Sequence, residues 1–444
     1  MKVKFSKNVS LKTYIATIVA ITIILVTSIG YVFSQSNGTF TISHGIYPGA
    51  PSYTVWVEGD DYFSKNMYGQ IRSDSNFSAL MQYIIDFQRG NSEGTRILLE
   101  AGNFWVGATI TVYDYVEIVG TGGGDQGTYL KLSDGVNCNM FNLNGSFIRF
   151  KSLKLWGGDN SAGIGICADP SLGGDSSGDT IVEDCFILQF PEEGIYWTDC
   201  WGAQIINSYI EYNWGYGAWI TARNNLISGS TFSFNHKSGM RISGGGGTAF
   251  PACISIINSA FVENYEHGIY FSGSDSSIVD NCLFIGNGVS APGTYSGIYI
   301  NAGDLHLTVS NNVFHGNSSR DNPPDIYTKH GVRVESNSYV SIVGNSFLNL
   351  DSIAVYASWE YHRVIVVGNN GFMTENCGTA VGMTSPITVS HQLGHTPLCV
   401  IVTPNGDYGD FWVSDVGALT FDINYDAGGV GGETFYWYAS VMFD

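Results

Sequence analysis

The chain has 444 residues, of which 13% are charged; 19 Lys and Arg stand against 39 Asp and Glu, a net charge of −20. The length allows one large domain with a small one, or a single elongated body. The acidity excludes a phosphate-backbone binder, and with it nucleic acid, because such proteins need a basic stripe; an uncharged glycan, a cation or a basic partner fits better.

The N-terminus carries a targeting signal. Lys2, Lys4, Lys7 and Lys12 form a basic segment (1–13) ahead of the charge-free run YIATIVAITIILVTSIGYVF (14–33). That run is long enough to span a bilayer as a helix, with the lysines inside and the acidic bulk outside. A signal peptide cleaved after Gly30 or Ser34 is the other reading. Both export residues 35–444, so the expected location is extracellular or at the cell surface, secreted or anchored by an N-terminal transmembrane helix. Residues 34–52 read as a linker. The eight cysteines permit disulfides in an exported chain, but several lie in apolar strands, where a free buried thiol is the plainer expectation.

Residues 76–88, NFSALMQYIIDFQ, predict an amphipathic helix capped by Asn76 or Ser78. Leu80, Ile84 and Phe87 fall on one face, with Met81, Ile85 and Gln88 beside them. The stretch 94–122 then predicts three short strands.

From there the chain repeats itself. A glycine followed by an apolar-x-apolar triplet recurs as GIGIC (163–167), GIYWT (194–198), GAWIT (217–221), GMRIS (239–243), GIYFS (268–272), GIYIN (297–301) and GVRVE (331–335), with the weaker SIAVY (352–356). After these come blocks such as NSYIEYN (207–213), GSTFSFN (229–235), NSAFVEN (258–264), NCLFIGN (281–287) and NNVFHGN (311–317). Period-two alternation and Gly/Ser/Asn turns exclude helical solenoids, and most steps are shorter than a propeller blade. The spacing suits coils of a parallel β-helix, in which like residues stack on neighbouring coils. Ile210, Phe232, Phe261, Phe284, Phe314 and Phe347 then form an internal stack. Asn213, Asn235, Asn264, Asn287 and Asn317 form an amide ladder.

Gly94-Thr95, Ile97, Leu99, Ala101-Gly102 and Phe104, then Val116, Ile118, Gly120 and Gly122, follow the capping helix and precede the G-I-x-I coils. This order resembles the pectate-lyase superfamily of right-handed parallel β-helices, over about residues 53–380. The resemblance implies a right-handed β-helix plugged at its N-terminal end by the helix. It leaves function open, since the superfamily includes polysaccharide lyases, glycosidases, epimerases, phage tailspikes and non-enzymatic surface proteins. The expected fold class is all-β: a capped right-handed parallel β-helix (53–383) and a small antiparallel, β-sandwich-like module (384–444).

ENCGTAVGMTSP (375–386) reads as a linker. Five β segments follow, at 387–391, 398–405, 410–416, 420–426 and 434–443. Their spacing and the closing Phe435-x-Trp437-x-Ala439 resemble H-type lectin and tail-fibre C-terminal modules. That resemblance implies a homotrimer and, in some members, sugar binding; a plain end cap of the rod is the alternative.

Alternation assigns Ile195, Met240, Ile269, Ile298 and Val332 to the interior. Tyr196, Trp219, Arg241, Tyr270, Tyr299 and Arg333 then point outward in one line. Aromatic faces pack on sugar C–H faces, and Arg grips carboxylate or hydroxyl, so this row is the candidate ligand-binding set. Stacking of good strand formers explains the same row without a ligand. The residues before each glycine form a neighbouring column: Glu193, Tyr216, Ser238, His267, Ser296 and His330. Glu193, Glu211, Glu266 and His267 are the candidate catalytic groups, since glycoside cleavage needs two nearby carboxyls. Each carboxylate is also explained as a solvated loop residue.

The lyases of the superfamily resembled use an acidic Ca²⁺ cluster with a basic residue, and its polygalacturonase-like hydrolases use aspartates with a Gly-His-Gly. Neither pattern is present, and there is no HExxH, GxSxG, P-loop or EF-hand sequence. No cofactor and no metal are therefore expected; Ca²⁺ has only the resemblance behind it. The leading functional expectation is an exported, membrane-anchored or secreted surface protein that binds polysaccharide along the β-helix, in adhesion or recognition. A polysaccharide lyase or glycoside hydrolase, and a structural spike or filament subunit, are the alternatives.

Overall fold

A strand of three to five residues buries one to three side chains on its inner face, too few to hold it in place alone. Such strands become stable by stacking, and that is how this chain folds. The computed structural model describes residues 52–444 except 90–93, 125, 170–176, 199, 222, 245–252, 274–275, 302–305, 318–326, 336–337, 358–362, 372–374, 383–384, 391–396, 398, 406–410, 418–419, 426–432 and 441–444. The basic segment 1–13, the apolar run 14–33 and the linker before Ser52 lie outside the described residues. Among the described residues no helix is long and apolar enough to cross a membrane.

The body is a right-handed parallel β-helix with three sheets, of 14, 10 and 10 strands. One coil runs through Ile269–Phe271 on sheet 3, Ser277–Asp280 on sheet 1 and Leu283–Ile285 on sheet 2. Each strand pairs in parallel with its equivalent one coil away, as Phe261 does with Phe284 and Phe284 with Phe314. At the N-terminal end, sheet 1 is extended by an antiparallel hairpin, Tyr53–Glu58 with Asp61–Asn66, whose first strand pairs in parallel with Thr95–Leu99.

The interior columns match the expected alternation. Phe232, Phe261, Phe284, Phe314 and Phe347 stack with ring centroids 5.2, 5.0, 4.6 and 5.0 Å apart. Ile195, Met240, Ile269, Ile298 and Val332 are all fully buried. The repeating glycine follows from the same packing. A Cβ on Gly268 would lie 2.6 Å from the Gly297 carbonyl oxygen and 2.7 Å from the Phe284 ring.

The corner from sheet 1 to sheet 2 is a single residue in the left-handed region. Asn207, Asn258, Asn281 and Asn311 take φ of 49°, 52°, 52° and 54° there, and Gly229 and Gly344 fill the same place. Asn and Gly tolerate this conformation best, which explains their recurrence at that point of the repeat.

The amide ladder forms at the corner from sheet 2 to sheet 3. The Nδ2 groups of Asn213, Asn235 and Asn264 donate to the next Oδ1 at 2.9, 3.0 and 2.8 Å. All four asparagines of this run, through Asn287, are fully buried. Asn317 does not join. Its backbone N–H turns to His315 Nδ1 at 3.3 Å, while the Thr328 hydroxyl donates to the Asn287 carbonyl at 2.9 Å, so the chain leaves the ladder geometry there. A second ladder, Asn312–Asn345–Asn369, runs at the sheet 1–sheet 2 corner with 2.9 Å steps.

Helix α1 (Phe77–Gln88) packs against the first coil. Asn76 is its N-cap, accepting from the Ala79 N–H at 3.1 Å. Ser78 lies inside the helix, and its hydroxyl accepts from Gly107 and Ala108 instead. Phe77, Leu80, Met81, Ile84 and Ile85 are buried, but Phe87 is 66% exposed. The buried stripe is therefore shifted towards Phe77, whose ring meets Phe104 at 4.9 Å.

The C-terminal region has its own core of Ala380, Val389, Phe421, Ile423, Tyr425, Phe435, Trp437 and Ala439. Two three-stranded antiparallel sheets enclose it. The stretch read as a linker supplies a strand, Glu375–Gly382, paired along its whole length with Glu433–Ser440. Gly, Thr and Ala there look linker-like, yet the strand carries Ala380 into the core.

Candidate functional site

The six outward residues do form one line. Strand pairing sets Tyr196 beside Trp219, Trp219 beside Arg241, Arg241 beside Tyr270, Tyr270 beside Tyr299 and Tyr299 beside Arg333. Tyr356 extends the line by one more coil. The row is half-buried rather than fully open, because its members pack on each other. Tyr196 meets Trp219 edge-on at 5.1 Å, and Tyr270 stacks on Tyr299 at 5.3 Å. The Arg241 guanidinium lies 4.1 Å from the Trp219 ring centre and 5.5 Å from that of Tyr270. Arg333 lies 5.3 Å from Tyr299 and 5.6 Å from Tyr356. The result is a ladder of alternating aromatic groups and cations, fixed in position before any ligand arrives.

Polar tips hold the ladder. Trp219 Nε1 donates to Ser243 Oγ at 3.1 Å. Glu335 accepts from the Tyr299 hydroxyl and from Arg333 Nε, both at 2.8 Å. Burial pushes the Glu335 carboxyl up, but these hydrogen bonds outweigh it and hold the group below its ordinary value. Towards the N-terminal end the same face runs into a polar cavity of about 180 Å³ lined by Thr111, Asn142, Cys167 and Asp169, among others.

The neighbouring column forms the wall at the start of these strands. Glu193 is 9% exposed, and its Oε1 lies 3.8 Å from Lys237 Nζ. Burial raises the Glu193 carboxyl, only partly offset by Lys237. Burial also raises the Glu266 carboxyl, against the pull of Lys237, a hydrogen bond from Ser238 and Arg241. Lys237 and Arg241 both approach the Tyr216 ring, at 4.8 and 5.6 Å. Glu193 and Glu266 thus converge on one lysine beside the row.

His267 is placed differently from a surface acid or base. It is 8% exposed, enclosed by Tyr270, Tyr295 and Tyr299, and its Nδ1 accepts from the Ser296 N–H at 3.0 Å. Burial holds it neutral, lowering its pKa to about 3. His267 forms part of the wall, with its Nδ1 already engaged by Ser296. Glu211 is not brought to this site. It lies on the outer face of sheet 2, between Leu188 and Ser233, and accepts from the Ser233 hydroxyl at 2.6 Å. The sheet 2–sheet 3 corner separates it from Glu193, so the carboxylate pairs Glu193–Glu211 and Glu211–Glu266 do not form.

Strand alignment gathers His236, Lys237, Glu266 and His267 on one edge, and Lys237 does act on Glu266, but it did not find Glu335 or Tyr356. Glu335 sits two residues beyond Arg333, on the same outward side, and that period was the available signal. Among the described residues Cys138, Cys167, Cys185, Cys282 and Cys399 are free thiols. Burial pushes the Cys167, Cys185 and Cys282 thiols up to about 12, consistent with inert packing.

Residues 193–370 match a family model described as the right handed beta helix region. No curated protein matches the chain in sequence. Among solved structures, the ORF18 protein of Geobacillus virus E2 is similar with a TM-score of 0.54, 14% identity, and coverage of 81% of this chain and 75% of that one. The A-module of the Azotobacter vinelandii mannuronan C-5 epimerase AlgE6 gives a TM-score of 0.42 at 15% identity, over 66% of this chain and 95% of that one. A mutant tailspike protein of E. coli bacteriophage HK620, in complex with a pentasaccharide, gives 0.48 at 12% identity, over 83% and 90%.

Proposed function

We propose that this is an exported surface protein that binds polysaccharide along the outer face of sheet 3. The observation that carries the reading is the in-register row Tyr196–Trp219–Arg241–Tyr270–Tyr299–Arg333. Rings one strand spacing apart, about 4.8 Å, offer repeated stacking positions to a chain-like ligand. Two cations of this face have carboxylates acting on them, Glu335 on Arg333 and Glu193 on Lys237, and Arg241 lies against the Trp219 ring, which together favour a chain of low charge. The lysine-led apolar segment would place the chain at the surface or release it. The C-terminal module, with Val381, Ile401, Trp412 and Tyr436 exposed, would join three copies.

A neutral-glycan array probed with the full chain and with Trp219→Ala/Tyr270→Ala tests the proposal. About a tenfold or greater loss of affinity is expected. Unchanged affinity in the double variant overturns it.

Glycoside cleavage is the second reading, favoured by the two upshifted carboxyls Glu193 and Glu266 beside the row. New reducing ends on incubation with a bound polysaccharide, lost in Glu266→Gln, would support it. Binding without turnover would exclude it for that polysaccharide.

A further inference from the structure

A different face of the rod carries a second, chemically distinct set. On the outer side of sheet 2, strand pairing places Lys131 between Trp105 and Trp156, and Tyr129 beside Lys154. The Lys131 ammonium stands 4.3 Å from the Tyr129 ring centre, 5.2 Å from Trp105 and 5.3 Å from Trp156. Lys154 stands 4.6 Å from Tyr129. Trp105 is 43% exposed, and Tyr129, Lys131, Lys154 and Trp156 are half-buried.

The charge balance here is unusual for so acidic a chain. Among the described residues no carboxylate lies within ion-pair distance of Lys131 or Lys154. The same coils show the opposite on sheet 1. There Arg96 and Arg149 flank Glu117 at 3.3 and 3.6 Å, Arg149 also meets Glu183, and Lys151 meets Glu183 at 2.8 Å. The same coils therefore pair Arg96, Arg149 and Lys151 with carboxylates on sheet 1 and, among the described residues, leave Lys131 and Lys154 without one on sheet 2.

We infer that the Trp105–Lys131–Trp156 face, with Tyr129 and Lys154, is a second ligand site that takes an acidic saccharide. The two indoles lie two strand spacings apart, roughly 10 Å, and supply stacking surface. The ammonium groups between and beside them supply charge-assisted hydrogen bonds to a carboxylate or sulfate on the sugar. A neutral chain would leave both ammonium groups unanswered. This site stands independently of the sheet 3 reading.

The test titrates the full chain with alginate, sulfated dextran and unmodified dextran at two salt concentrations. Expected is binding of an acidic polymer that weakens with salt, falls about tenfold or more in Lys131→Gln/Lys154→Gln, and persists in Trp219→Ala/Tyr270→Ala. Lys131→Arg/Lys154→Arg, which keeps both charges, should retain most of it. Trp105→Ala, at an exposed position, should weaken it without lowering the thermal midpoint. Failure of both acidic polymers to bind, equal affinity for unmodified dextran, or insensitivity to the lysine substitutions overturns the inference. Loss confined to the sheet 3 variant overturns it too, and assigns the acidic ligand to the other face.

Discussion

The outer faces of sheets 3 and 2 are built from the same residue types and differ in how their charges are answered. On sheet 3, Arg333 and Tyr299 share Glu335 and Lys237 is held against Glu193, while Arg241 lies on the Trp219 and Tyr270 rings. On sheet 2, among the described residues, Lys131 and Lys154 meet aromatic rings and no carboxylate. Aromatic–cation stacking by itself does not define a ligand. A cation whose carboxylate is already supplied stays in place as part of a rigid wall. One without a carboxylate keeps its charge for whatever binds.

Both faces stand on one interior, so the largest effect comes from removing that support. Phe261 is fully buried and stacked on both sides. Phe261→Ala should cost about 3–5 kcal/mol by loss of transfer energy and creation of a cavity. Its chemical unfolding midpoint should fall sharply, with both faces losing ligand together. If one face kept its affinity in a destabilised variant, the coils would not be acting as one body.

The next largest effect separates the faces. Crossing Trp219→Ala/Tyr270→Ala with Lys131→Gln/Lys154→Gln, each tested on neutral and acidic polymers, should give loss only on the matching face. Because the lysine face has no internal counter-charge, its affinity alone should fall steeply with salt.

The smallest effect concerns the wall of sheet 3. His267 is held neutral by burial, with a pKa lowered from 6.5 to about 3. The unfolded chain therefore binds a proton that the folded chain refuses, and stability rises with pH between about 3 and 6.5. Acidification from pH 7 to 5 should lower the thermal midpoint of the native chain more than that of His267→Gln, whose amide oxygen can still accept from Ser296. Equal pH dependence of the two would remove His267 as the source. The acidic-saccharide face has no such group and should hold its ligand across the same range, sharpening the contrast.

The repeat itself was readable because its causes are local. A period of two sets inside and outside, so Phe261, Ile269 and Tyr270 are assigned from the chain alone. The glycine before each strand marks a place where a Cβ would clash, and the buried asparagines mark a corner bridged by their amides. The outward row on sheet 3 followed from alignment on that glycine. The C-terminal module was legible as strands, but the pairing of Glu375–Gly382 with Glu433–Ser440 joins distant segments, and local composition there reads as linker.

What needed the tertiary structure shares one feature: it depends on which coil lies beside which. Trp105, Lys131 and Trp156 belong to early coils without the Gly-Ile-x-Ile marker, so nothing in the sequence aligns them. Only strand register brings them together. Glu193 and Glu211 are close in sequence, yet a corner sends them to different faces, and Glu193 meets Lys237 from a later coil instead. Asn317 continues the asparagine spacing but leaves the ladder, its backbone N–H donating to His315 Nδ1 instead. By itself the sequence determined the alternation, the corners and the stacking interior, since each coil must bury the same short pattern. The tertiary structure decided which charges find a partner, because that depends on register between coils that the repeat does not encode.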